Sequence, residues 1–235
     1  ANTQIPKVIG FEKYAQATGN KEWKTASEFF WSTVVSKFTI SIGGNSVREH
    51  FHPANDFSTM VESEQGPETC NTYNMLKLTR LLFLANPQQK YINYYERALF
   101  NHILSTEHPD KGGFVYFTPM RPRHYRVYSQ PQTSFWCCVG SGLENPGKYG
   151  ELIYAKSNNT IWANMFISSK VTWHNKELTV EQKTGFPYSQ NTSFIIVTNK
   201  PKKFTLKIRN PNWVIKNSGQ ITINGKSANL KPDNN

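Results

Sequence analysis

Cys137 and Cys138 stand side by side in SFWCCVGSG at 134–142, and a third thiol, Cys70, stands in GPETCN at 66–71. The 235 residues hold no other cysteine. So low and odd a count does not build a disulfide framework. Adjacent thiols have three chemical readings: small buried apolar groups, a strained vicinal disulfide, or two ligands of one soft metal ion. The aromatic lead-in Phe135-Trp136 and the glycines at 140 and 142 predict a shaped loop here rather than a core helix.

A closed zinc site takes four ligands, chiefly thiolate and imidazole with occasional carboxylate. Glu68, two residues before Cys70, supplies a fourth donor at what reads as a helix start. Glu68, Cys70, Cys137 and Cys138 form a coherent donor set, although the chain has no C-x-x-C pair. A metal-bound thiolate can be inert, or it can be a nucleophile kept ionised at neutral pH. A nucleophile needs a proton donor nearby, and Glu49, Glu62 and Glu64 are the carboxylate candidates. Glu49 lies in GGNSVREHFH at 43–52, a Gly-rich stretch of the kind that carries pocket residues. A single Glu is also an ordinary surface acid. His50 and His52 flank it and, with no partner cluster, read as pocket or surface histidines.

The elements that must position these groups change character along the chain. Residues 1–155 read as mainly helical. A helix over 6–18 places Val8, Phe11 and Ala15 on one side and ends at Gly19-Asn20. A second over 22–38 aligns Trp23, Ala26, Phe30, Val34 and Phe38. A third over 68–85 aligns Tyr73, Leu76, Thr79, Leu82 and Phe83, with Pro87 beyond its end. A fourth over 91–104 offers Tyr94, Ala98 and Ile103 to a core. Residues 114–117 read as a short extended run, and 145–155 as one more helix or loop-helix. From about residue 161 the period shortens. Stretches at 161–167, 178–182, 193–198, 204–209 and 220–224 read as strands at the spacing of a β-sandwich, with Asn224-Gly225 as a hairpin turn. The predicted boundary lies near residue 156, giving a mainly α part at 1–155 and an all-β part at 156–235.

The formal net charge of +11 invites a nucleic-acid reading. The lysines are scattered, however, and the densest group, Lys200 with Lys202 and Lys203, falls between two strand-like runs as a solvated turn. No nucleic-acid partner is expected. No run of about 18 apolar residues predicts a membrane span. The chain opens at Ala1 without a Met and reads as an excised piece of a longer protein.

Three stretches, GGNSVREHF at 43–51, GPETCNTYNMLKL at 66–78 and FWCCVGSG at 135–142, together resemble the β-L-arabinofuranosidases of glycoside hydrolase families 127 and 146, bacterial enzymes, with wording closer to family 146. The resemblance runs along essentially the whole chain, and the Glu-Thr-Cys and Cys-Cys motifs in that order are its specific part. It implies an (α/α)6 toroid followed by a β-sandwich, and a carbohydrate substrate. It also implies a Zn2+ ion held by Glu68, Cys70, Cys137 and Cys138. By the same resemblance Cys137 is the nucleophile, Glu49 the acid/base, and Tyr116 in FVYFTP at 114–119 a sugar contact. The family's sugar-binding histidines would lie upstream of Ala1, and its enzymes work in a bacterial periplasm or cytoplasm. The reading from another class is a carbohydrate-binding or scaffold protein with a purely structural zinc.

Overall fold

A computed structural model describes residues 1–215, 218–230 and 232. The chain divides into two compact units, Ala1–Tyr149 and Gly150–Asn235. The first is helical: α1 (Gln4–Thr18), α2 (Lys21–Lys37), α3 (Ser58–Glu62), α4 (Thr69–Ala85), α5 (Gln89–Ala98) and α6 (Cys137–Glu144). The second carries eight strands among the described residues: β1 (Tyr154–Ser157), β2 (Thr160–Ala163), β3 (Ser169–Trp173), β4 (Leu178–Thr184), β5 (Thr192–Thr198), β6 (Thr205–Ile208), β7 (Ile221–Ile223) and β8 (Lys226–Ala228).

Local chemistry sets the helix limits. Gly19, at φ 74°, ends α1 and returns its N–H to Ala15, a left-handed cap that glycine adopts without Cβ strain. Asn20 then caps α2 by accepting from the Trp23 N–H at 3.1 Å. α1 packs on α2 and α4, and α4 also contacts α5 and α6. α4 is the most buried of the six, with Tyr73, Met75, Leu76, Leu78, Leu82 and Phe83 in the core. α5 buries Tyr94 and Ala98 as the sequence predicts and then loosens into a π turn, Leu99–Ile103.

Three sequence expectations for this unit change. On α2, Trp23 and Ala26 are exposed, and the buried residues are Ser27, Trp31 and Val34. Polar partners turn the helix. Ser27 Oγ donates to buried Glu12 at 2.6 Å, and Trp31 Nε1 donates to Thr79 at 2.8 Å. The second change is that the cysteine pair begins a helix, α6, rather than a loop. The third is that 145–155 holds only a 3-10 turn, Asn145–Lys148, before β1 starts.

In the second unit β1, β2 and β6 form one sheet. β1–β2 is antiparallel, and β2–β6 is parallel. β3, β4 and β5 form an antiparallel sheet, and β7–β8 is a hairpin around Asn224-Gly225. Ile161, Trp173, Leu178 and Val180 are its buried centre, with Tyr154, Phe194 and Leu206 against them. The five predicted strand stretches each hold a strand. β1, β3 and β8 were not named as strands, because short runs such as Tyr154–Ser157 alternate too weakly to show a period of two, although the Asn224-Gly225 turn implied a partner for β7. Among the described residues no helix is long and apolar enough to cross a membrane.

Candidate active site

Two helix starts and one extended segment meet in the first unit. Glu68 is the N-cap of α4, but its side chain makes no capping bond. Cys70 follows in the first turn. Cys137 and Cys138 occupy the first turn of α6, whose N-cap, Trp136, cannot cap with a side-chain oxygen. All three sulfurs therefore lie at the positive ends of helix dipoles, where a thiolate is favoured.

Four donor atoms, one each from Glu68, Cys70, Cys137 and Cys138, lie within 4.8 Å of one another. Cys70 Sγ is 3.2 Å from Cys138 Sγ, Cys137 Sγ is 3.9 Å from Cys138 Sγ, and Cys137 Sγ is 3.6 Å from Glu68 Oε1. All three cysteines are free, so the disulfide reading fails. Thiolates held tetrahedrally at about 2.3 Å from zinc stand roughly 3.8 Å apart, close to the Cys137–Cys138 spacing. Glu68 Oε2 is buried without a hydrogen-bond partner, and Asn2 donates to Oε1 at 3.2 Å. A buried orphan carboxylate oxygen beside three thiols is what a cation would satisfy. The residues present fit a zinc ion.

The electrostatics point the same way. Burial, with Cys70 and Glu49 nearby, pushes Glu68 up to about 7. The hydrogen bond between Cys70 and Cys138, with a further one between Cys70 and Ser141, brings Cys70 down to about 6. Cys138 is pushed up by its hydrogen bond with Cys70 and by burial, and burial lifts Cys137 to about 11.

Tyr116 connects this cluster to Glu49. Its hydroxyl donates to Glu49 Oε1 and lies 3.7 Å from Cys137 Sγ. Burial and the bond to Glu49 hold the phenol above its ordinary range. The 114–119 segment is pinned to the start of α4. Thr69 N–H donates to the Tyr116 carbonyl at 3.0 Å, and Thr118 N–H to that of Pro67 at 2.9 Å.

Glu49 sits in an unusual turn. Val47 and His50 exchange both backbone hydrogen bonds, at 2.8 and 2.9 Å, around Arg48 at φ 49° and Glu49 at φ 65°. Two positive φ values in a two-residue loop define a type I′ turn, a place for Asn-Gly. The second unit uses that pair, Asn224-Gly225, in its β7–β8 hairpin. At 48–49 two bulky residues take the same strained conformation, at a cost of order 1–3 kcal/mol each. The approach to this turn is tight as well. A Cβ on Gly43 would meet Ala98 Cα at 2.5 Å, and one on Gly44 would meet Pro67 Cβ at 2.6 Å.

The other acids lie elsewhere. Glu62 and Glu64 line an open cleft of about 440 Å³ with Arg48 and Arg121, and Glu64 pairs with Arg121 at 3.0 Å. His50 is exposed. His52 is neither a pocket nor a surface group. It is buried between Phe38 and Phe57, with its ring nitrogens on the Pro53 and Phe38 carbonyls. Sequence reasoning did not single out Asn2, Ser141, Thr72, Thr118 or His102. Only His102 carried a signal, as a polar residue inside the apolar run ALFNHIL at 98–104.

The profile for the β-L-arabinofuranosidase GH127 catalytic domain matches residues 1–151. The chain belongs to this GH127 family. The profile for the GH127 middle domain matches residues 160–235. Among solved structures, Ara127N-Se, a GH127 β-L-arabinofuranosidase from Geobacillus stearothermophilus T6, is similar with a TM-score of 0.76 and 22% identity over 95% of this chain and 37% of its own. The GH127 β-arabinofuranosidase BT3674 gives 0.78 and 23%, over 97% of this chain and 38% of its own. A further glycoside hydrolase gives 0.77 and 19%, over 96% and 42%. The chain thus spans less than half the length of each of these three structures. No curated protein matches the sequence.

Proposed function

We propose that the intact protein is a retaining glycosidase that releases β-L-arabinofuranose, or a similar pentofuranose, from plant-type glycans. In this reading residues 1–155 are the later part of an (α/α)6 toroid and residues 156–235 begin a β-sandwich. Cys137 is the nucleophile, Glu49 the acid/base and Tyr116 a substrate contact. Glu68, Cys70, Cys137 and Cys138 would hold Zn2+, which when bound keeps the sulfurs ionised at neutral pH. The observation that carries the reading is the shared hydroxyl of Tyr116, in reach of both Cys137 Sγ and Glu49 Oε1. Retaining glycosidases keep their two reactive groups about 5 Å apart, and a sulfur and a carboxylate both within reach of one hydroxyl are compatible with that spacing.

In the first step Cys137 sulfur attacks the anomeric carbon and the glycosidic C–O bond breaks. Glu49 gives its proton to the leaving oxygen. In the second step Glu49 takes a proton from water, the water oxygen attacks the anomeric carbon, and the C–S bond breaks. Cys137 is the one exposed cysteine of the three. A purely structural site would enclose it, so the exposure favours a reactive sulfur over a scaffold zinc.

The test uses the intact, metal-loaded protein on a chromogenic β-L-arabinofuranoside. Cys137→Ser and Glu49→Gln should each lower kcat by several orders of magnitude, and the product anomer should be retained by NMR. Substantial turnover by purified Cys137→Ser would remove the thiolate mechanism.

A further inference from the structure

We propose that His102 is the positioning residue of this site, a ring that ties the start of α4 to the 114–119 segment through Thr72 and Thr118 and so fixes Glu68 and Cys70 against Tyr116. The inference rests on the glycosidase reading above. His102 is fully buried in the π turn after α5. Its Nδ1 is 2.8 Å from Thr72 Oγ1 and its Nε2 is 3.1 Å from Thr118 Oγ1. π turns inside helices recur at functional sites because they re-aim a side chain.

The two threonines are informative partners. Thr72 lies four residues after Glu68, on the same side of α4, and Thr72 N–H donates to the Glu68 carbonyl. Thr118 lies two residues after Tyr116 on the same segment, and its N–H donates to the Pro67 carbonyl beside Glu68. His102 therefore holds a residue one turn along α4 from a candidate ligand and a residue two places from the proposed sugar-contacting phenol. The backbone bonds at Thr69 and Thr118 fix how far α4 lies from the segment. The Thr69 hydroxyl adds a bond to the Val115 carbonyl at 2.6 Å in the first turn of α4, and His102 ties the same segment to α4 further along, at Thr72. The loop leading to Glu49 also rests here, since a Cβ on Gly44 would stand 3.0 Å from His102 Nδ1. Three of the four segments that carry candidate site residues, the start of α4, the 114–119 segment and the loop leading to Glu49, thus converge on one imidazole that touches no reacting group, and the start of α6 is the fourth.

The test compares wild type, His102→Leu, His102→Gln and Thr118→Val in the intact protein, well below each melting temperature. One readout is the visible absorption of the Co2+-substituted protein, which reports ligand geometry. The other is the split between kcat and KM. A positioning role predicts an altered Co2+ spectrum in His102→Leu. It also predicts a kcat loss on the order of tenfold to a hundredfold at nearly constant KM. His102→Gln, which can keep one of the two bonds, should fall between. A wild-type spectrum and a kcat within about twofold of wild type in the folded variants would overturn the inference. If His102→Leu does not fold, the isosteric Thr118→Val decides on the same readouts. A wild-type protein that neither binds Co2+ nor cleaves the arabinofuranoside would instead defeat the glycosidase reading, and this inference with it.

Discussion

His102 also makes a prediction about stability that needs no substrate. Burial, assisted by Arg126, holds its ring down to about 3, against 6.5 for an unperturbed histidine. Between those values the unfolded chain takes up a proton that the folded chain refuses. The contribution of His102 is therefore present above about pH 6.5 and is lost as pH falls toward 3. The slope is about 1.4 kcal/mol per pH unit, which integrates to about 2 kcal/mol between pH 7 and pH 5. Urea unfolding of the reduced, metal-free protein at both pH values measures the loss. Other groups also titrate in this window, so the quantity that counts is the difference between wild type and His102→Gln. Wild type should lose about 2 kcal/mol more than the variant over that interval. Parallel losses in the two proteins would refute a ring that stays neutral inside the fold, whatever the absolute stabilities.

Two further predictions concern α6 and Tyr116. A Cβ on Gly142 would lie 2.4 Å from the Phe114 ring, whereas one on Gly140 meets nothing within 4 Å. Gly142→Ala should therefore lower stability by about 1–3 kcal/mol despite its better helix propensity. Gly140→Ala should raise stability by about 0.5–1 kcal/mol, and thermal melts of the pair that move in the same direction would contradict the packing described for α6. Tyr116→Phe removes the hydroxyl that joins Glu49 to Cys137, and kcat should fall on the order of tenfold or more. Steady-state rates within about twofold of wild type would show that the shared hydroxyl is not used.

The parts of this molecule legible in the sequence are those where rare chemistry sits in short motifs. Glu68, Cys70, Cys137 and Cys138 could be named together because three thiols and one nearby carboxylate leave few combinations, and the fold does bring those four donors within 4.8 Å. Where apolar periodicity is the whole signal, as on α4, the buried face follows from it. On α2 the same rule misleads. The buried positions include Ser27, held by the carboxylate of buried Glu12, and a hydrophobic pattern cannot register a polar pair that satisfies itself inside the core. α6 was hidden for a different reason. Two glycines and an aromatic N-cap argue against a helix locally, and only the distant Phe114 ring explains why position 142 must be so small. The turn at Arg48-Glu49 lies furthest from sequence reach. Nothing in those two side chains favours positive φ, and a chain selected for stability alone would place Asn-Gly there, as the β7–β8 hairpin does. A strained glutamate persists where the surrounding structure over-determines it. Here the surroundings are identifiable: the paired backbone of Val47 and His50, the Arg48 N–H on the Gln65 carbonyl at 3.0 Å, and the Tyr116 hydroxyl on the carboxylate. The local rule is broken at the residue to which the proposed chemistry assigns proton transfer, which is where a fold is expected to spend stability on function.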